Sequence, residues 1–211
     1  MPITSDIILD SLKFRHENVT EPTKQAANLL ETITTSGPRW WEVGAQKYRE
    51  MRELGQTPLP KPVYLSAALD GTVSSRDAGR EVPIRIYKPD NDQPSKGVFL
   101  HYHGGGFVLA THKQQASVLL NSDRMLQEYA NKCQLTAISV GYRLGPEHPY
   151  PAPVHDAIDA AEYIASHGID GVALHFIAGE SACACLAVLS AIQLMRSRPS
   201  YKLSDLYERP L

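Results

Sequence analysis

The 211-residue chain has no surplus of either charge, no long apolar run and little cysteine. Each shortage excludes something. Twenty-one Lys and Arg against 23 Asp and Glu leave a net charge of -2 and a pI near 6.4. That balance offers no basic field to nucleic acid or anionic lipid. No apolar stretch approaches the roughly 18 residues needed to cross a bilayer, so no membrane span is expected. The start, Met1-Pro2-Ile3-Thr4-Ser5-Asp6, lacks the basic stretch and apolar core of a secretory signal. Three cysteines, Cys133, Cys183 and Cys185, are an odd number without the spacing of a disulfide framework. A reducing, cytoplasmic setting is the simplest expectation. Asn18-Val19-Thr20 matches a glycosylation acceptor, a pattern short enough to recur by chance. At 43% hydrophobic and 21% charged, the composition is that of an ordinary globular domain with a sizeable core.

Residues 1–55 read as a helical segment. Ile7, Ile8 and Leu12 make one short face, and Leu29, Leu30 and Ile33 another at helical spacing, stopped by Gly37-Pro38. Trp40-Trp41 opens a further stretch rich in Glu, Lys and Arg that runs to Leu54. From about residue 56 the texture changes. Strands are expected over Pro62 to Ala68 and Val82 to Tyr87, with Asp70-Gly71 as a turn between them. In the second, Ile84 and Ile86 face one way and Arg85 the other. Gly97 to Tyr102, Leu135 to Tyr142 and Val172 to Ala178 are short apolar runs suited to buried strands. Helices are expected over Ala116 to Asn131, around Val154, Ile158, Ala161 and Ile164 up to Gly168, and through Leu186, Leu189 and Ile192 behind Gly179-Glu180-Ser181. The order predicts an α/β fold with a mainly parallel sheet.

Three motifs carry chemistry. Gly179-Glu180-Ser181-Ala182-Cys183 follows the last strand and precedes a helix. A Gly-x-Ser-x-Gly turn in that position strains the serine backbone and lifts its Oγ above the sheet. Cys183 stands where the last glycine belongs, at an expected cost of about 1–3 kcal/mol if neighbours fill that space. A serine there could instead be a plain helix N-cap. His103-Gly104-Gly105-Gly106-Phe107 follows an earlier strand, and its glycines let backbone N–H groups converge on one point. Such donors stabilise an acyl-transfer oxyanion by roughly 3–4 kcal/mol each. No Gly-Lys-Ser/Thr follows, which removes the phosphate-loop reading. The third motif is the Pro-rich loop Tyr142-Arg143-Leu144-Gly145-Pro146-Glu147-His148-Pro149-Tyr150-Pro151-Ala152-Pro153. Glu147 and His148 invite an acid/base role, but bracing of the sheet edge is the stronger expectation.

Together these motifs resemble the hormone-sensitive-lipase-like branch of the α/β-hydrolases. The N-terminal half is also similar to fungal esterases of secondary metabolism, of the versiconal hemiacetal acetate esterase kind. The resemblance implies an ester hydrolase with a small-molecule ester substrate and no metal or organic cofactor. It implies Ser181 as the acylated nucleophile, Gly105, Gly106 and Ala182 as oxyanion donors, and His103, Gly104, Gly179 and Glu180 as motif support. It also implies that residues 1–55, with Trp40 and Trp41, belong to a helical cap over a partial hydrolase core at 56–211.

One absence bears on all of this. In that fold the acid and then the histidine of the triad follow the serine along the chain. After Ser181 the sequence has only Asp205 and Glu208 as acids, and no histidine. The last strands of the fold are expected to be missing, with activity impaired and an open sheet edge prone to self-association. A non-catalytic ligand binder, a partner subunit and a fragment without function stay open as alternatives.

Overall fold

The computed structural model describes residues 10–113 and 122–204. Ile7, Ile8, Asp205 and Glu208 lie outside the described residues, as does the start of the helix expected from Ala116. After 3-10 turns at Ser11–Phe14 and His16–Asn18 come α1 (Glu21–Thr35), α2 (Trp40–Val43) and α3 (Ala45–Leu54). Pro22 sits in the first turn of α1, where its missing N–H costs nothing. Its apolar residues find little cover, and Leu29 and Leu30 stay exposed. The capping box at α2 pairs the Arg39 backbone with the Glu42 carboxylate at 2.8 Å.

The sheet comprises β1 (Leu69–Ser74), β2 (Glu81–Tyr87), β3 (Val98–Tyr102), β4 (Thr136–Val140) and β5 (Leu174–Gly179), in the order β1-β2-β4-β3-β5. It is mixed. β1 and β2 form an antiparallel hairpin and β2 pairs antiparallel with β4, while β4, β3 and β5 run parallel. The parallel part carries the helices α4 (Ser122–Cys133), α5 (Ala152–His167) and α6 (Ala184–Ser197) as crossovers and flank.

The first strand differs from the sequence expectation. Residues 62–68 are not a strand, and Asp70-Gly71 lies inside β1 rather than at a turn. The reason is where the backbone groups find partners. The Leu65 N–H donates to the Asp123 carboxylate at 2.6 Å and its carbonyl accepts from Arg85 at 2.9 Å, so side chains replace the ladder.

Each sheet face buries its own layer. Val82, Ile84, Leu100, Tyr102, Ile138 and Val140 pack against Ala157, Ala161 and Ile164 of α5 and Leu186 and Leu194 of α6. On the other face Tyr87 and Ala137 meet Met125, Leu126 and Ala130 of α4. Arg85 points to this second face, as its alternation predicts, and is held by buried Asp123 at 2.7 and 3.0 Å. The buried face of α6 runs through Leu186, Ser190 and Leu194 instead of Leu186, Leu189 and Ile192. The Tyr102 hydroxyl lies 3.0 Å from Ser190 Oγ, so a small polar residue faces β3 and the helix is turned accordingly. Val188, Leu189, Ile192 and Met195 are left exposed. β5 forms one edge of the sheet, and among the described residues after α6 the Ser204 N–H donates to His175 O and the Tyr201 hydroxyl to Leu174 O.

Behind the Pro-rich loop, fully buried Asp156 accepts from Arg80 through both oxygens at 2.7 Å. It also accepts from the Arg143 backbone and guanidinium at 2.8 Å. Neutralising such a centre strands two cations. Asp156→Ala is expected to lower unfolding stability by about 3 kcal/mol, read by urea titration, whereas exposed Glu31→Ala shifts it by less than ~0.5 kcal/mol.

Candidate active site

β5 ends at Gly179, and the chain reverses through Glu180 into a 3-10 turn, Ser181–Cys183, that leads into α6. Ser181 has a φ of +53°, a left-handed conformation that a non-glycine residue holds only under constraint. Part of the constraint is visible at Gly179, where a Cβ would come within 2.3 Å of Cys183 O. Only glycine permits so tight a return. The Glu180 N–H donates to Tyr102 O at 3.0 Å, tying the turn to the end of β3. Ser181 and Ala182 are exposed above this turn. The plain N-cap reading is disfavoured, because an N-cap residue takes an extended backbone.

The glycine loop leaves β3 beside it. Gly105 and Gly106 have φ of 121° and 63°, and Phe107 follows at 63°. A Cβ on Gly105 would lie 2.2 Å from Leu109 O, because the N–H groups of Val108 and Leu109 both return to Gly105 O, at 3.1 and 2.8 Å. The Gly105 and Gly106 N–H groups donate to no other described residue. At Gly104 a Cβ would stand 3.5 Å from Glu180 O and 3.7 Å from Ser181 Cβ. The glycine loop and the serine turn, far apart in sequence, are therefore in contact.

Cys183, the departure from the glycine pattern, is fully buried between them. Its Sγ lies 2.9 Å from the Tyr142 hydroxyl, and burial raises its thiol pKa. The site holds the sulfur against polar partners, so the side chain has room and contacts of its own. Tyr142 Oη donates to His103 O at 2.5 Å, and its ring stacks on the His103 imidazole at 4.3 Å. His103 Nδ1 donates to Gly104 O at 2.9 Å, which buttresses the glycine loop.

The imidazoles serve structure. Burial pushes His103 down to about 3 and both His101 and His112 down to about 4. His175 and His167 bond the carbonyls of Ala173 and Tyr163. Among the described side chains no imidazole hydrogen-bonds the Ser181 hydroxyl.

Glu147 is held by Arg49, whose Nη2 donates to Oε1 at 2.5 Å. Its own backbone N–H and then that guanidinium keep the Glu147 carboxyl below the usual carboxylate range. This supports bracing rather than acid/base work. His148 lies exposed in the same loop, its N–H bonded to Leu144 O. Arg49 itself also donates to Val108 O and Gly145 O, at 2.6 and 3.2 Å. Nothing in the sequence singled it out, since it sits in a polar helix without a motif. Among the described residues no group of three His, Cys, Asp or Glu is placed to hold a metal, and no helix is long and apolar enough to cross a membrane.

A strand, a strained serine turn and a helix, with a glycine loop from the neighbouring strand, define an α/β-hydrolase. The chain belongs to the alpha/beta hydrolase fold family, which matches residues 99–206. It is 34% identical over 123 residues to esterase LipI of Mycobacterium tuberculosis, covering 57% of this chain and 34% of that protein. It is 32% identical over 135 residues to an ethyl acetate hydrolase of Pseudomonas putida, covering 61% and 40%. Among solved structures, a hyperthermophilic esterase of Pyrobaculum calidifontis superposes with a TM-score of 0.64 at 28% identity, covering 88% of this chain and 56% of that one. An ester-hydrolase from the Lake Arreo metagenome, complexed with a bipyridine phosphonate derivative, gives 0.65 at 27%, covering 88% and 57%. The chain spans between about a quarter and two fifths of the length of the curated relatives it matches.

The three depressed imidazoles predict acid sensitivity. Each is neutral when folded, but takes up a proton near pH 6.5 when unfolded. The unfolded state thus binds more protons below that pH, and stability falls as pH drops from about 6.5 toward 4. The expected slope is on the order of 1 kcal/mol per histidine per pH unit. Urea titrations at several pH values measure it, and a flat profile between pH 6.5 and 5 is the contrary result.

Proposed function

We propose that this chain provides the nucleophile and oxyanion side of a serine carboxylesterase. The observation that carries the reading is the left-handed Ser181 backbone in contact with the Gly104–Gly106 loop. The esterases among its relatives support the reaction class. In it, Ser181 Oγ attacks an ester carbonyl while the N–H groups of Gly105, Gly106 and Ala182 receive the negative oxygen. The alcohol leaves, and water releases the acid from the acyl-serine. His103 supports the glycine loop, Gly179 permits the turn, and Glu180 anchors it to β3. On this reading the N-terminal helices serve as a cap, supported by Arg49 of α3 reaching Val108 O and Gly145 O, and the resemblance to fungal esterases points to a secondary-metabolite ester as substrate.

The attack needs a proton acceptor at Oγ. Burial keeps His101, His103 and His112 neutral at pH 7, yet no described imidazole bonds that hydroxyl. The purified chain is therefore impaired, acting through the oxyanion loop and binding alone. These leave roughly 10³–10⁴-fold acceleration over water when a triad is broken.

Hydrolysis of p-nitrophenyl acetate tests both parts. The chain is expected to give a slow rate that Ser181→Ala abolishes. A rate unaffected by Ser181→Ala contradicts the nucleophile assignment. A turnover of tens per second or more, typical of complete enzymes, contradicts the impairment. Saturable binding of a hydrophobic ester without any hydrolysis favours the non-catalytic alternative.

A further inference from the structure

Arg49 reaches from α3 to three partners distant in sequence, and two of them frame the glycine loop. Its Nη1 donates to Val108 O at 2.6 Å and Gly145 O at 3.2 Å, and Nη2 to Glu147 at 2.5 Å. The loop it touches is held in a left-handed run at Gly105, Gly106, Phe107 and Ala110, which is costly at the two non-glycine positions, Phe107 and Ala110. Such a run persists only if its surroundings fix it. Part of the fixing comes from inside, through the bonds that close on Gly105 O. The rest comes from outside. The Gly145 N–H takes Phe107 O at 2.8 Å, and the guanidinium takes the next carbonyl, Val108 O. Two successive carbonyls are thus held beside Gly145, one by its own N–H and the next by a guanidinium that is itself bonded to Gly145 O and Glu147.

Without the guanidinium, Val108 O and Gly145 O lose a charged donor in a half-buried position. Val108 is then released, and Phe107, which keeps its carbonyl bond to the Gly145 N–H, loses the support that follows it and can relax toward ordinary backbone angles. The glycines immediately before them would turn with them, since the loop is one short closed turn. A planar fork suits the task, because it serves Val108, Gly145 and Glu147 from fixed directions.

We propose that Arg49, anchored by Glu147, is a positioning residue that holds the Gly104–Gly106 loop in its oxyanion-binding shape. It couples the N-terminal helices to the catalytic edge of the sheet. The loop's catalytic meaning rests on the proposed nucleophile reading; the clamp itself does not.

The test uses the full chain with Arg49→Met, which keeps side-chain length, Arg49→Lys and Glu147→Gln. Two readouts are taken. Hydrogen exchange, followed by mass spectrometry, compares peptides over 104–110 with those over β3. Phosphonylation by an activated aryl alkylphosphonate, followed by intact mass, gives a maximal rate and a half-saturation concentration.

In Arg49→Met, loop exchange is expected to rise about tenfold with β3 unchanged. The maximal phosphonylation rate should fall about tenfold or more while half-saturation moves less than about twofold, as for lost orientation rather than lost binding. Arg49→Lys should recover part of both. Unchanged loop exchange in Arg49→Met overturns the proposal, as does equal loosening of loop and β3. If Arg49→Met does not fold, Glu147→Gln carries the test, with a rise of about threefold confined to the loop expected and no change contrary. Failure of the unmodified chain to be phosphonylated at Ser181 sinks the nucleophile reading instead, and the exchange result still decides the clamp.

Discussion

One buried phenol joins the ends of the three parallel strands. β4 delivers Tyr142, β3 delivers His103 and β5 delivers Cys183 through the serine turn. The Tyr142 hydroxyl donates to His103 O and touches Cys183 Sγ, while its ring stacks on the imidazole. Burial keeps it protonated far above neutral pH. Each contact lies where water does not reach, so a missing partner would leave a dry polar group at the heart of the site. From this point the geometry propagates outward. His103 holds Gly104, Gly104 lies against Ser181, and Glu180 returns to β3. The glycine loop and the serine turn keep their relation because both are fastened to one side chain.

The same burial that makes this arrangement firm removes its imidazoles from acid/base work. His101 and His103 sit within the sheet and its first loop, and desolvation holds them neutral. Being neutral does not make them bases for Ser181: His103 Nδ1 is engaged by Gly104 O and the Tyr142 hydroxyl, and His101 Nδ1 and His103 Nε2 are buried without a hydrogen-bond partner. Glu147 is likewise committed, to Arg49. On the proposed reading, stabilisation of the oxyanion and removal of the hydroxyl proton are separable. The described residues address the first of these.

Much of this was legible in the sequence, for reasons that differ by element. Buried parallel strands read as apolar runs, so β3, β4 and β5 were placed nearly to the residue. The turns at Gly104–Gly106 and Gly179–Ser181 announce themselves because few residues tolerate such backbones. The failures share a cause. The Leu65 segment looked like a strand, but its backbone groups are satisfied by Asp123 and Arg85 from elsewhere in the fold. The helical spacing of Leu186, Leu189 and Ile192 marks α6 but not its buried face, because Ser190, a polar residue, faces β3 through Tyr102. Cys183 looked like a misfit because its partner Tyr142 lies 41 positions away. Arg49 was invisible for the same reason: its partners are 59 to 98 residues distant. Local pattern reports local backbone demand. Polar partnerships across the fold leave no mark on it.

The most direct measurement is a crystal structure of the chain with Ser181 phosphonylated. The account predicts the phosphoryl oxygen within hydrogen-bond distance of the Gly105 and Gly106 N–H groups, and no imidazole of this chain within reach of the Ser181 oxygen. A phosphoryl oxygen turned away from the glycine loop, or a histidine bonded to that serine oxygen, would contradict it.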